Sequence, residues 1–193
     1  MSMGRDNLDE VLQALGQVLQ ARGLAYEIVV VGGSSLLLLG FITRPTRDLD
    51  ALALVVDGEY VSARPLPEPF TQAIASVGRA FGLSEEWLNP GPTDILRFGL
   101  PEGFQNRVDT RRYGSLTVVL AGRLDQICLK LYATVDQGMK SKHAADLIAL
   151  LPSDDELLAA ARWSQTQDPS EGFKQSLAHT LAALGVEEPD DLI

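Results

Sequence analysis

Residues 28–50, IVVVGGSSLLLLGFITRPTRDLD, contain the features that decide the fold. The β-branched run Ile28–Val31 predicts a buried strand. Gly32-Gly33-Ser34 follows at once, which predicts a tight turn into the short apolar helix of the leucine run. Pro45 disfavours helix on both of its sides, so a second strand is predicted over Asp48–Val56. Strand, turn, helix and strand in so short a stretch indicate a layered fold of mixed sheet and helices.

The remaining periodicity extends this core in both directions. Asp6 is a candidate N-cap for a first helix that ends near Gly23, and Gly58–Pro69, with three prolines, is interpreted as a loop. We expect an α+β fold, a small mixed sheet flanked by helices, with a core over residues 1–122 and a helical part over 123–193 packed on it. The other predicted elements are a helix over Phe70–Phe81, a strand over Leu116–Leu120, and helices over Arg123–Val135, Ala144–Leu151, Leu157–Trp163 and Glu171–Leu184.

Composition narrows the class of protein. The chain has 193 residues, 46% of them hydrophobic, with a net charge of −10 and one cysteine, Cys128, which we expect in the core. No apolar run approaches the ~18 residues that span a bilayer, and the polar, acidic first residues are unlike a signal peptide. We therefore expect a cytoplasmic protein without a membrane segment.

Charge is distributed unevenly along the chain. The net charge of −10 argues against a broad nucleic-acid-binding surface, since phosphate contacts need clustered Lys and Arg. Residues 97–143 nevertheless hold eight Lys and Arg against four Asp and Glu. This stretch is either a solvated basic face or an anion-binding wall of a cleft.

Two carboxylates stand at the start of the second predicted strand. Asp48 and Asp50 project to the same face because side chains alternate along a strand, and their repulsion favours a divalent cation such as Mg²⁺ between them. Backbone amides at Gly32 and Gly33 and the Ser34 hydroxyl can hold an anion at a helix N-terminus. Taken singly, Gly-Gly-Ser is usually just a turn and Asp-x-Asp an exposed strand end. The combination indicates phosphoryl or nucleotidyl transfer.

The glycine turn followed by Asp-x-Asp resembles the nucleotidyltransferase superfamily of the polymerase-beta type. The run from Arg44 through Thr46 to Asp48 and Asp50 is similar to the Arg-x-Thr-x-Asp-hydrophobic-Asp pattern of AbiEii-type toxins. The resemblance implies Asp48 and Asp50 as catalytic metal ligands. It also implies nucleotide binding by five residues, which are Gly32, Gly33, Ser34, Arg47 and Lys142.

A second resemblance lies further along the chain, so that the likeness covers roughly residues 28–151. Asp125–Ala133 is similar to that family's lysine-bearing helix, and it implies a catalytic Lys130 that offsets phosphate charge. Asp146 would then orient Lys130 or act on the acceptor hydroxyl. From periodicity alone, Lys130 is as well explained as a surface lysine and Asp146 as a helix N-terminal acid. The segment Trp87-Leu88-Asn89 also looks like uncharacterised relatives of AbiEii.

The third carboxylate that polymerase-type enzymes carry on a later strand has no clear counterpart here. Asp109 is the best candidate, although it precedes a predicted loop rather than lying in an obvious strand. A degenerate, inactive member of the family is therefore one open alternative.

The resemblance implies an enzyme that uses Mg²⁺ to transfer a nucleoside monophosphate from an NTP to an acceptor hydroxyl. It further suggests the toxin of a toxin–antitoxin pair, with a cognate antitoxin as partner and a tRNA end or a protein as acceptor. Two alternatives stay open: a catalytically silent binding module, and a small-molecule, antibiotic-type nucleotidyltransferase, for which an acidic surface would suit a cationic substrate. If the acceptor is RNA, five basic residues are expected on one surface, namely Arg107, Arg111, Arg112, Lys140 and Lys142.

Overall fold

The computed structural model describes residues 2–187, and these form two compact units. The first unit comprises residues 2–97 and 108–121 and contains the sheet; the second comprises residues 98–107 and 122–187 and is helical. The described part of the chain has no helix that is both long and apolar enough to cross a membrane.

The sheet of the first unit is mixed, as predicted. Its strand order is β3-β2-β1-β6-β5, and β4 pairs with the beginning of β2. β1 runs parallel to β6 and antiparallel to β2, and the β2–β4 pair is also parallel. The strands described in the structure are β1 (Tyr26–Val31), β2 (Leu49–Val56), β3 (Glu59–Ser62), β4 (Leu88–Asn89), β5 (Asp109–Tyr113) and β6 (Leu116–Leu120).

The centre of the sheet is apolar on both faces. Ile28, Val29 and Val30 of β1 are fully buried, which explains why this strand is a continuous β-branched run and not an alternating one. Three helices of the first unit accompany the sheet: α1 (Arg5–Ala21), α2 (Gly32–Leu39) and α3 (Glu68–Ala80). The α2 helix begins directly where β1 ends, so the Gly-Gly-Ser segment forms its first turn and does not precede it.

Close backbone packing fixes α1 on the sheet. A Cβ atom on Gly16 would lie 1.5 Å from the Tyr113 carbonyl oxygen of β5, so only glycine fits at this contact. The N-cap of α1 is Gly4, and Asp6 lies inside the first turn, so the predicted Asp6 cap is wrong. A carboxylate there is still favoured by the helix dipole.

The second unit consists of four helices and an irregular segment. The helices are α4 (Arg123–Gln137), α5 (Lys142–Ala149), α6 (Asp154–Gln167) and α7 (Glu171–Ala183). Ser153 and Glu156 form the capping box at the start of α6 that the sequence pattern favours. Two α6 side chains, Trp163 and Gln167, donate hydrogen bonds to the Gly99 carbonyl oxygen and hold the 98–107 segment in place.

Besides the two-residue β4, two strands lie where no strand is predicted. β3 occupies part of the predicted loop 58–69, and β5 is a polar segment with two arginines. β3 and β5 are the first and last strands in the order β3-β2-β1-β6-β5, so each has a neighbouring strand on one side only. Their side chains stay largely exposed, and neither strand therefore displays a hydrophobic pattern. Asp57-Gly58, with both residues at positive φ, is the hairpin signal that could have identified β3.

Candidate functional site

The carboxylate of Asp50 lies against the glycine turn. Asp50 of β2 pairs with Val31, the last residue of β1, and the next residue begins α2. A Cβ atom on Gly32 would lie 2.6 Å from Asp50 Oδ2, and the φ of Gly32 is +77°. Both facts require glycine at this position. The absence of a side chain there lets the Asp50 carboxylate approach the N-terminal end of α2.

Asp48 stands one residue before β2, on the opposite side of the backbone from buried Leu49. Asp48 and Asp50 are both half-buried, whereas Leu49 is fully buried, as expected from alternation along an extended chain. Thr46 anchors this segment: it pairs with Met3, and its hydroxyl donates to the Asp48 carbonyl oxygen at 3.0 Å. Two partly accessible carboxylates are thus held on a fixed backbone.

The arginine beside the glycine turn is Arg44. A Cβ atom on Gly33 would lie 3.2 Å from one guanidinium nitrogen of Arg44, so the guanidinium lies directly over Gly33. Arg47, the arginine predicted to bind nucleotide, is exposed in the bend before β2. Sequence reasoning missed Arg44 as a binding residue, although the Arg-x-Thr-x-Asp pattern begins with it.

Ser34 is fully buried in the first turn of α2. Its Oγ atom is shielded from water and has no hydrogen-bond partner among residues 2–187. Leaving a buried hydroxyl unpaired costs roughly 1–3 kcal/mol. The predicted contact of this hydroxyl with a phosphate therefore needs the turn to open slightly, and it stays a prediction.

Asn89 is a polar neighbour of Asp50 that sequence reasoning did not place in the site. The two residues pair in register between the parallel strands β2 and β4. Asn89 Oδ1 accepts a hydrogen bond from the Gly91 amide at 2.9 Å, and a Cβ atom on Gly91 would lie 3.9 Å from Asp50 Oδ1. A strand of two residues is too short to give a periodic signal, so only the Trp87-Leu88-Asn89 likeness pointed to this segment.

Asp109 is wrongly placed to complete the carboxylate set. It begins β5 and pairs with Leu120 of β6, and both β6 and β1 separate β5 from β2. Three strand spacings correspond to roughly 14 Å. The Asp109 carboxylate forms an ion pair with Arg111, at 3.4 Å. Asp109 is therefore not the third ligand of a centre at Asp50.

The second unit contains a buried ion pair between Lys130 and Asp146. Lys130 Nζ donates to Asp146 Oδ2 at 2.7 Å, and the two side chains are 4% and 1% exposed. The surface-lysine interpretation of Lys130 is therefore wrong. Asp146 lies in the second turn of α5, so it is a partner of Lys130 and not a helix-starting acid. Lys142 is the exposed first residue of α5.

A second buried carboxylate of this unit is paired with an arginine. Arg107 forms two hydrogen bonds to Asp125, at 2.6 and 3.1 Å, and the Asp125 side chain has no exposed surface. Burial raises the pKa of Asp125, although Arg107 opposes that rise; the hydrogen bond to Asp125 raises the pKa of Arg107. Arg111, in the first unit, donates to the Leu38 carbonyl oxygen at 2.8 Å. Two of the three arginines predicted to contact RNA, Arg107 and Arg111, are thus partly engaged within their own units.

Cys128 lies in the core of the second unit, as predicted. It is 3% exposed, and burial raises the pKa of its thiol to about 12. At neutral pH the thiol is protonated and has no nucleophilic role.

The residues of the first unit fit Mg²⁺. Asp48 and Asp50 supply hard carboxylate oxygens, and both side chains are partly accessible to solvent. Within residues 2–187 no group of three or more His, Cys, Asp and Glu is arranged to hold a metal ion. Mg²⁺ is commonly bound by one or two carboxylates while phosphates and water complete its octahedron, so Asp48 and Asp50 would suffice as its protein ligands.

Comparison with known protein families gives a match over most of the chain. Residues 6–161 match a family described as nucleotidyltransferase of unknown function, DUF6036. No curated protein and no solved structure is similar enough to this chain to count as a match.

Proposed function

The chain belongs to this nucleotidyltransferase family, and from that premise we propose that it transfers a nucleoside monophosphate from an NTP to an acceptor hydroxyl with the help of Mg²⁺. The observation that carries the proposal is the Asp50 carboxylate lying against Gly32 at the start of α2. Backbone amides at the start of a helix favour anions, and carboxylates favour cations. A cation and a phosphate can therefore be held together at this turn.

The proposed reaction is an in-line substitution at the α-phosphorus of the NTP. The acceptor hydroxyl oxygen forms a bond to the α-phosphorus, and the bond from phosphorus to the oxygen bridging to the β-phosphate breaks. Pyrophosphate leaves with that electron pair, and the hydroxyl proton passes to a carboxylate oxygen of Asp50. Mg²⁺, when bound by Asp48 and Asp50, supplies neutralisation of phosphate charge.

The chain's own cations are proposed to hold the phosphates. Arg44 is close enough to the Gly33 backbone to bind a phosphate that rests on this turn, and guanidinium groups suit phosphate geometry. Arg47 and Lys142 are exposed and are proposed as further contacts. Lys130 is proposed to act on the transferring phosphate, with Asp146 as the positioning residue that fixes it.

A catalytically silent binding module is the second candidate. Its support is Asn89, an uncharged amide at the position that pairs with Asp50 in the neighbouring strand. With two carboxylates instead of three, the site binds a cation less strongly. Asn89→Asp separates the candidates. In both cases the added carboxylate should tighten Mn²⁺ binding, which calorimetry measures. An active enzyme carrying this substitution should still transfer nucleotide, whereas a silent fold should show no transfer.

The direct test is incubation with each α-³²P-labelled NTP, Mg²⁺ and total tRNA, a protein extract or small hydroxylated amines. Label transferred to any acceptor, dependent on Mg²⁺ and absent with Asp48→Asn, supports the proposal. A tRNA acceptor would also support the toxin role, and a helix-turn-helix gene beside this one would point to the antitoxin. Absence of transfer from all four NTPs to all three acceptor classes would overturn the enzymatic reading.

A further inference from the structure

A groove of about 570 Å³ in the first unit adjoins the proposed site. Asn89 and Gly91 are among its lining residues, and both belong to the segment that contacts or pairs with Asp50. Its volume lies within the range of small-molecule sites, about 300–1,000 Å³. A molecule that contacts Asn89 and Gly91 in this groove would therefore lie near the Asp50 carboxylate.

The walls of the groove combine an apolar floor with an acidic rim. Ile74 and Leu88 form part of the floor and are almost fully buried. Three glutamates stand around it, namely Glu68, Glu85 and Glu86, and all three are exposed.

Two charges of the rim are neutralised by neighbours. Arg64 is paired with Asp94 at 3.0 Å, and Glu85 with Arg79 at 2.7 Å. That leaves Glu68 and Glu86 to set the local potential, in a chain whose net charge is −10. A polyphosphate backbone is repelled by such a rim, whereas an ammonium group is attracted.

Resting on the proposed function, we propose that this groove binds the acceptor and that the acceptor is a small cationic molecule carrying a hydroxyl group, an amino alcohol or amino sugar. Its ammonium groups would lie toward Glu68 and Glu86 and its carbon skeleton on Ile74 and Leu88. Its hydroxyl would point toward Asp50. The transfer then follows the bond changes given above, with the acceptor oxygen as nucleophile and pyrophosphate as leaving group.

The first experiment measures binding and requires no activity. Spermidine is titrated by calorimetry into the intact protein, into Glu68→Gln/Glu86→Gln, and into the control Glu10→Gln/Glu59→Gln, which removes two exposed carboxylates of the same unit outside the groove. We expect the groove variant to bind spermidine about tenfold more weakly, since each exposed ion pair contributes up to about fivefold. The control should keep its affinity to within twofold. Equal loss in both variants, or no measurable binding to the intact protein, would overturn the inference.

The second experiment separates this inference from the proposed function. Labelled NTP and Mg²⁺ are supplied with glucosamine, with total tRNA, or with both. Transfer to glucosamine that falls in the groove variant and persists in the control supports the inference. Transfer to tRNA alone leaves the proposed function standing and overturns the cationic acceptor. If spermidine binds at the groove but no nucleotide is transferred, the groove is a cation-binding site. The proposed enzymatic function and the acceptor assignment are then both wrong.

Discussion

The charged groups of the two units differ in how far water reaches them. In the first unit Asp50 and Arg44 are half-buried beside a glycine turn, and Asp48 is half-buried two residues before Asp50. In the second unit Lys130 and Asp146 are at most 4% exposed and bound to each other. A buried charge has to be paired because an unpaired one costs several kcal/mol, whereas a half-buried charge can exchange water for a ligand. The charged groups of the first unit can therefore exchange water for a ligand. Those of the second unit need each other for the unit to fold stably.

The largest effect is expected from breaking the buried pair. Lys130→Met leaves Asp146 as an uncompensated buried carboxylate and should reduce the free energy of unfolding by about 3–5 kcal/mol. Lys130→Met combined with Asp146→Leu removes both charges and should recover most of that loss. Chemical denaturation followed by circular dichroism measures both variants.

The same double variant tests the proposed catalytic role of Lys130. If a folded double variant transfers nucleotide at the normal rate, Lys130 serves stability alone. If it folds normally and its kcat falls about 10²-fold or more, Lys130 acts on the transferring phosphate. A single variant that is as stable as the unaltered protein would contradict the contrast between the two units.

In contrast to Lys130→Met, Asp48→Asn is expected to have a large effect on nucleotide transfer and little effect on stability. Removing one half-buried carboxylate relieves repulsion with Asp50, so the free energy of unfolding should change by less than about 0.5 kcal/mol. Transfer should fall by at least about 10²-fold. Mn²⁺ affinity, measured by calorimetry, should fall with it.

Asp57→Asn is the matched control at the other end of the same strand. Asp57 is exposed in the β2–β3 turn with φ of +52°, a conformation that asparagine tolerates well. Neither stability nor Mn²⁺ binding should change in this variant. Equal losses of Mn²⁺ affinity at positions 48 and 57 would mean that general acidity, and not the site, attracts the cation.

The same contrast explains what the sequence could predict. Buried apolar strands have a strong signal, so β1, β2 and β6 are found to within two residues, and the mixed sheet follows from them. The edge strands β3 and β5 lack that signal because their side chains stay in water. Periodicity reports burial, and burial is weakest at the edges of the sheet.

The candidate site likewise contains some features that the sequence predicts and others that it does not. The closeness of Asp50 to the glycine turn is implied by the motif order, because adjacent strands bring their connected ends together. The burial of Lys130 and the contact of Arg44 with Gly33 depend on tertiary packing that local patterns do not encode. Asn89 enters through a two-residue parallel pairing about forty residues distant in sequence, which a single sequence cannot reveal.

Two glycines with similar positive φ angles provide a second test of the site at Asp50. Gly32 has φ of +77° and Gly58 has φ of +84°, so alanine should strain both by about 1 kcal/mol. A Cβ atom at position 58 meets nothing within 4 Å, whereas at position 32 it would lie 2.6 Å from Asp50 Oδ2. Gly32→Ala should therefore displace Asp50 and weaken Mn²⁺ binding, while Gly58→Ala should only lower the melting temperature. Equal Mn²⁺ affinities in the two variants would contradict a site at Asp50.

The smallest effect is expected from an ion pair that is only partly buried. Glu156 pairs with Arg123 in the second unit, and the two side chains are 28% and 34% exposed. The hydrogen bond from Arg123 lowers the pKa of Glu156 below its ordinary value of 4.5. A carboxyl group with a lowered folded-state pKa stabilises the protein above pH 4.5, and this stabilisation is lost as the pH falls through the folded-state pKa. Glu156→Gln keeps an oxygen that can accept the capping-box hydrogen bond from the Ser153 amide, so it removes the charge alone. We expect the free energy of unfolding to fall by about 0.5–1 kcal/mol at pH 7 and by less at pH 3, measured by urea denaturation at both pH values.

A loss at pH 7 as large as that of Lys130→Met would show that exposure does not govern the strength of these ion pairs. A loss of the same size at pH 3 would assign the effect to the cap and not to the charge.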